Sequence, residues 1–247
     1  MTEREGNWIR LLEGFAALSI VAVSGLLVWV LLSGHSIVAV AGARTTRTVA
    51  PPPAAPLPRE PLTVTTLPGE GSPKAKVAVI EFSDFQCPYC GKFAREIQPE
   101  LEKRYVEPGK VRWLFRHFPL EQIHPFAMKA ALAAICADQQ GQFWAMHNAL
   151  FARQAQLDEA SVRERARNLK LDAKRFDTCL QNPVTAQVRA DTLEGNALSV
   201  SGTPTFFIGT VQPDGRVKVV QRLTGARPAD QFAKVLDEVL GVDRTAK

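Results

Sequence analysis

Two cysteines separated by two residues, Cys87-Pro88-Tyr89-Cys90, carry the strongest chemical signal in this 247-residue chain. Thiols at that spacing can form and open a disulfide, or supply half of a tetrahedral zinc site. Zinc needs a second pair of Cys or His ligands at comparable spacing, and none is evident. His117, His124 and His147 stand singly among apolar residues and read as packing or surface histidines. The redox reading is therefore the stronger one. Just before the pair, Val77-Ala78-Val79-Ile80-Glu81-Phe82 is a short, almost continuous apolar run suited to a central strand covered on both faces. Just after it, Phe93, Ile97, Leu101 and Tyr105 recur every four positions, as on one helical face. Cys87 thus falls at or near a helix N-cap, and Pro88 suits the first helical position, where a missing N–H is no loss. Unpaired amides and the positive end of the helix dipole favour a sulfur anion on Cys87 and lower its pKa. Cys90 lies one turn further in, away from those amides. The expectation is an exposed nucleophile at Cys87 and a resolving thiol at Cys90.

The elements that must position these sulfurs follow in order. Pro99 predicts a kink in the helix after Cys87, and Pro108-Gly109 its end. Val111 to Phe115 reads as the next strand, and Pro119 with His124-Pro125 marks a break. From about 125 to 198 the pattern is helical, with stripes at Val162, Ala166 and Leu169 and at Ala173, Phe176 and Leu180, and with Asp158 and Asp172 as caps. Thr205 to Ile208 and Val217 to Val220 read as a hairpin across Pro213-Asp214-Gly215. A last helix, entered at Pro228, shows Phe232, Val235, Leu236 and Val239 on one face. Strands alternating with helices define an α/β class.

The chain ahead of this domain has another character. Residues 14–32 are uncharged and strongly apolar, long enough to cross a hydrocarbon core as a helix, so residues 1–35 read as a transmembrane anchor or a signal. Ala39-Val40-Ala41 and Ala41-Gly42-Ala43 resemble small-residue cleavage sites. Arg4 and Arg10 before the segment are matched by Arg44 and Arg47 after it, so positive charge does not set its orientation. Residues 36–62 include a proline-rich stretch at 51–61 that reads as a semi-rigid spacer, leaving 63–247 as one domain. A composition of 46% hydrophobic and 22% charged residues excludes a disordered or fibrous chain. The net charge of +5 is scattered among acidic residues instead of forming a basic block, which argues against a nucleic-acid partner.

Taken together, the run from Val79 through Cys90 resembles the active-site strand and helix of the DsbA-like thioredoxin-fold oxidoreductases, a group that includes BdbD-like proteins. Arg116-His117-Phe118-Pro119-Leu120, His124-Pro125, Gln142-Phe143-Trp144-Ala145-Met146-His147 and Gly202-Thr203-Pro204-Thr205-Phe206-Phe207 are similar to that family in the same order, so the likeness covers about residues 72–240. The resemblance implies a thioredoxin fold with a helical insertion at about 125–198, preceded here by the N-terminal transmembrane segment. It implies a cis bond at Thr203-Pro204, a turn facing Cys87 that offers backbone hydrogen bonds to an extended substrate. Glu81 matches the family's buried acid, placed to exchange a proton with Cys90; a strand-end glutamate reaching solvent is the alternative. Cys136 and Cys179 match a second, structural disulfide. The dipeptide Pro88-Tyr89 departs from the Pro-His of DsbA and is shared with glutaredoxins.

What the resemblance implies about activity is protein thiol oxidation. The Cys87–Cys90 disulfide would pass to reduced exported proteins, with no cofactor or metal, in a monomer held at the cell membrane by residues 14–32 with its catalytic domain on the extracytoplasmic side. A quinone-linked membrane partner would reoxidise it. An extracytoplasmic reductase or isomerase would use the same residues with the opposite redox poise, and a thioredoxin-fold chaperone would use both sulfurs as soft-metal ligands.

Overall fold

A computed structural model describes residues 56–181 and 185–241. Its centre is a five-stranded mixed sheet ordered β1-β3-β2-β4-β5, formed by β1 (Gly69–Glu70), β2 (Val77–Ser83), β3 (Val111–His117), β4 (Thr205–Val211) and β5 (Val217–Thr224). β2 runs parallel to β3 in the register Val77 to Val111, and antiparallel to β4 in the register Val77 to Thr210. The apolar run that predicts a strand covered on both faces is buried at all seven positions of β2. The two-residue edge strand β1 has no apolar run and is not evident from the sequence.

Helix α1 follows β2 in four consecutive segments: Pro88–Lys92 and Gln98–Leu101 are α-helical, Phe93–Ile97 and Glu102–Val106 are π-helical. The π turns flank the position at which Pro99 predicts a kink. Side chains four apart drift about 40° per step around an ideal α-helix. The wider π turns cancel that drift and keep Phe93, Ile97, Leu101 and Tyr105 buried on one face. The Gln98 amide reaches back five residues to the Phe93 carbonyl, loosening the turn where Pro99 brings no N–H. That face packs with α7 (Ala229–Leu240) on one side of the sheet, through Phe93, Trp113, Phe206 and Phe232. Pro228 is the N-cap of α7.

The other side of the sheet is covered by Leu62, Val64, Leu67, Phe118 and Val200. Leu62 therefore belongs to the domain and not to the spacer; its N–H and C=O both pair with Val217, at 2.8 and 2.9 Å. No helix among the described residues is long and apolar enough to cross a membrane. The apolar segment 14–32 lies outside them.

Among the described residues, five helices stand between β3 and β4: α2 (Ala127–Asp138), α3 (Phe143–Ala152), α4 (Glu159–Asn168), α5 (Ala173–Gln181) and α6 (Thr185–Ala197). This is the helical insertion read from the sequence. Asp158 caps α4 by accepting the Ser161 amide at 3.1 Å, and Asp172 accepts the Arg175 amide at 2.8 Å. Cys136 on α2 and Cys179 on α5 are joined as a disulfide. Buried Arg116 ties α6 to the sheet, with Asp191 at 2.9 Å and Glu194 at 2.8 Å, and donates to the Thr63 carbonyl at 2.6 Å.

Candidate active site

The junction of β2 and α1 sits where the sheet meets the insertion, so Cys87 and Cys90 share a core with Phe85, Phe115 and the insertion residues Phe143, Leu150 and Phe151. Both cysteines are free thiols. Cys87 is the N-cap of α1, with extended backbone, and Pro88 is the first helical residue, as the spacing predicts. Cys87 is only 4% exposed, so the nucleophile is not the open thiol that its place at the helix start predicts. The turn before β4 lies against it, and its Sγ donates to the Thr203 carbonyl at 3.4 Å. Pro88 and Tyr89 form the exposed rim, with Tyr89 66% accessible. Cys90 is fully buried, so the order of exposure between the two sulfurs stands.

Their electrostatics are unequal. The Cys87 thiol is drawn down to about 6, first by a hydrogen bond from Cys90, then by Thr203 and the Cys90 and Tyr89 amides, against burial. The sequence points to the helix-end amides as the source of this effect; the larger part comes from the partner sulfur. The Cys90 thiol is pushed well above its usual range, by burial and by Cys87. The bond between Thr203 and Pro204 is cis, and the Pro204 carbonyl is taken by the Gly225 amide at 2.8 Å.

Glu81 is fully buried on β2, which excludes the solvent-reaching alternative. Its Oε2 accepts from Trp113 Nε1 at 2.9 Å and its Oε1 has no partner. Burial raises its pKa to about 7, against the contacts with Trp113 and Ser83 that favour charge. The buried Ser83 hydroxyl makes no full hydrogen bond, yet lies near enough to bias both Glu81 and Cys90 toward their charged forms. Ser83 therefore stands beside both the carboxyl and the resolving thiol.

This geometry gives a testable pH dependence. A carboxyl raised from 4.5 to about 7 favours the fold fully below 4.5, and that contribution is lost as pH rises to 7. Glu81→Gln has no charge to bury. Its stability relative to the parent should climb through that window and level off about 3 kcal/mol higher. Urea unfolding of both proteins from pH 4 to 8 measures the difference; a constant difference contradicts the burial argument.

Several residues that shape the site carry no signal as single letters. Asp84 is buried, accepts the Gln86 amide at 2.7 Å and the Leu120 amide at 2.8 Å, and pairs with His124 Nδ1 at 2.7 Å. The loop entering the insertion is thereby fastened to the loop preceding Cys87, and His124 is a hydrogen-bond partner of Asp84 instead of a lone packing residue. His117 and His147 are buried among aromatic rings such as Phe115 and Phe151, at 5.2 and 4.8 Å between centroids. Burial lowers their pKa values to about 3 and about 4, so both are neutral at physiological pH.

A family model described as thioredoxin matches residues 64–223, nearly all of the sheet and the whole insertion. The chain belongs to the thioredoxin family. Its fold, insertion included, is shared with DsbA1 of Wolbachia pipientis (TM-score 0.65, 24% identity, covering 73% of this chain and 94% of that one). It is shared as well with oxidised BdbD of Bacillus subtilis (TM-score 0.62, 23% identity, covering 73% and 96%). A thioredoxin-like oxidoreductase of Silicibacter pomeroyi is 29% identical, with a TM-score of 0.58 over 72% of this chain and 94% of that one. Among curated proteins, the probable disulfide bond formation protein D of Bacillus anthracis is 28% identical over 146 residues, 56% of this chain and 67% of that protein. A stretch of 139 residues is 41% identical to part of the Na(+)/H(+) antiporter NhaA 3 of Salinispora tropica. That match takes in 56% of this chain and about a fifth (21%) of the antiporter.

Proposed function

We propose that this thioredoxin-family protein is a disulfide-donating oxidoreductase acting on the thiols of exported proteins, with Cys87 and Cys90 as its only redox carriers. The observation that carries this reading is the unequal thiol pair: Cys87 is held at about 6 and Cys90 far above. A stabilised Cys87 thiolate stabilises the reduced protein, so the Cys87–Cys90 disulfide is readily given away.

A substrate thiolate attacks Cys87 Sγ, forming a mixed disulfide and breaking the bond to Cys90. The expelled Cys90 anion is the less stable of the two and takes a proton; Glu81, near half-protonation at neutral pH, supplies it by way of the Ser83 side of the site. A second substrate thiolate then attacks the substrate sulfur and releases Cys87, whose low pKa makes it a good leaving group. The substrate dithiol loses two electrons and two protons, and the protein ends as the dithiol. The Thr203 carbonyl, 3.4 Å from Cys87 Sγ, is placed with its turn to meet the substrate backbone.

A quinone-linked membrane partner fits the need for reoxidation. The apolar segment 14–32 and the proline-rich spacer support a membrane-held domain on the extracytoplasmic side, where disulfides persist and the Cys136–Cys179 bridge is at home.

The test is catalytic oxidation of a reduced, unfolded model protein by the oxidised domain, run beside titration with Cu(I) and Zn(II). Stoichiometric substrate oxidation with loss of the Cys87–Cys90 disulfide is the expected result. Tight metal binding without thiol oxidation overturns it in favour of a metal chaperone.

A further inference from the structure

Besides the apolar core they share, a polar side chain of the helical insertion reaches the backbone of the redox centre. Gln154 follows the end of α3, and its Nε2 donates to two backbone carbonyls that flank the turn into α1: Phe85 at 2.8 Å and Cys87 at 2.9 Å. The second carbonyl belongs to the nucleophile itself and also accepts the Gly91 amide at 3.0 Å. Arg95 on α1 holds the other end of the amide, donating to Gln154 Oε1 at 3.1 Å and to the Phe151 carbonyl at 2.7 Å. The turn that presents Gln154 is itself fastened: Arg165 on α4 donates to the Ala149 carbonyl at 3.0 Å and the Arg153 carbonyl at 2.9 Å.

Gly91 makes room for this arrangement. A Cβ at that position would stand 1.8 Å from Gln154 Oε1 and 2.4 Å from its Cδ. The residue following Cys90 is therefore a glycine because the amide occupies the space a side chain would fill.

From this contact we infer that Gln154 is a positioning residue for the redox pair, through which the insertion sets how strongly Cys87 holds its negative charge. A carbonyl oxygen is the negative end of a dipole, and the Cys87 carbonyl stands on the nucleophile's own residue. An N–H aimed at that oxygen offsets part of its field and fixes the peptide from which α1 starts. The Pro88-Tyr89 dipeptide is thus not the only determinant of oxidant strength. The inference rests on the proposed cycling of Cys87 and Cys90.

Two substitutions separate this role from plain scaffolding. Gln154→Leu removes the donor and the Arg95 contact together. Gln154→Glu keeps the shape and strengthens the partner of Arg95, but removes the donor and places a negative charge beside the carbonyls. The thiolate absorbance of reduced protein gives the Cys87 pKa, glutathione equilibration gives the redox balance, and thermal melting gives stability. Cys87 should titrate higher by about one pH unit in Gln154→Leu and further in Gln154→Glu. At pH 7 a one-unit rise from about 6 shifts the glutathione equilibrium about fivefold toward the protein disulfide. Stability should fall in the opposite order, with Gln154→Leu the worse. Gly91→Ala, which evicts the same amide from the other side, should raise the Cys87 pKa in the same direction and serves if Gln154→Leu does not fold. Variants that lose stability while the pKa and the glutathione equilibrium stay at parental values would make Gln154 a structural residue only. A parent protein that does not equilibrate with glutathione at all would instead overturn the redox reading itself.

Discussion

Cys87→Ser is expected to reduce oxidation of a reduced model protein to the uncatalysed background, and Cys90→Ser to stop turnover in a different way. The first substitution removes the sulfur that the substrate attacks, which the fold places at the N-cap of α1 against the Thr203 carbonyl. The second leaves that sulfur in place with its route of release gone. Given a substrate disulfide, Cys90→Ser should accumulate a mixed disulfide through Cys87, because no internal thiol remains to displace the substrate. Removal of the Cys90 S–H also withdraws the largest influence holding the Cys87 pKa down. The serine hydroxyl donates in its place, so the nucleophile should stay reactive. Mass spectrometry of quenched mixtures locates the adduct. An adduct on Cys90 in the Cys87→Ser protein would reverse the assignment, and full activity in either variant would remove these sulfurs from the mechanism.

Loss of the second bridge should leave chemistry intact and cost stability. Cys136 and Cys179 join α2 to α5 across a separation of 43 residues within the insertion. Closing a loop of that length disfavours the unfolded chain by about 4 kcal/mol on the chain-entropy argument. Replacing both cysteines by serine should lower the melting temperature by about 10 °C. Neither sulfur has a setting like that of Cys87, so the bridge should stay closed while the active site cycles. Calorimetry and glutathione equilibration of the double variant check both halves. A changed Cys87–Cys90 equilibrium would show that the bridge does more than brace the insertion.

The parts of this fold legible in the sequence are those with a period or a fixed partner. β2 declares itself as a run buried on both faces, α1 as a stripe beginning one turn after a strand, and the β4–β5 hairpin as two runs around Pro213-Asp214-Gly215. The position of Cys87 at the N-cap follows from strand, cysteine and proline in succession. The stripe at intervals of four is also the trace of the π turns in α1. Other features depend on contacts between distant segments and leave no local pattern. Gln154 lies 67 residues from Cys87, and Asp84 lies 40 residues from His124. Leu62 looks like the tail of a proline-rich spacer until the uncovered face of the sheet claims it. The shielding of Cys87 is of the same kind, since the turn that covers it arrives more than a hundred residues later.

If Cys87 and Cys90 form an oxidising pair, the reduced state must be stabilised at Cys87. Equilibration of the purified protein with glutathione buffers, read by the fraction of the Cys87–Cys90 disulfide, measures this directly. A reduction potential well above the thioredoxin value of about −270 mV is expected. A potential at or below that value would make the protein a reductase and contradict the proposed direction of electron flow.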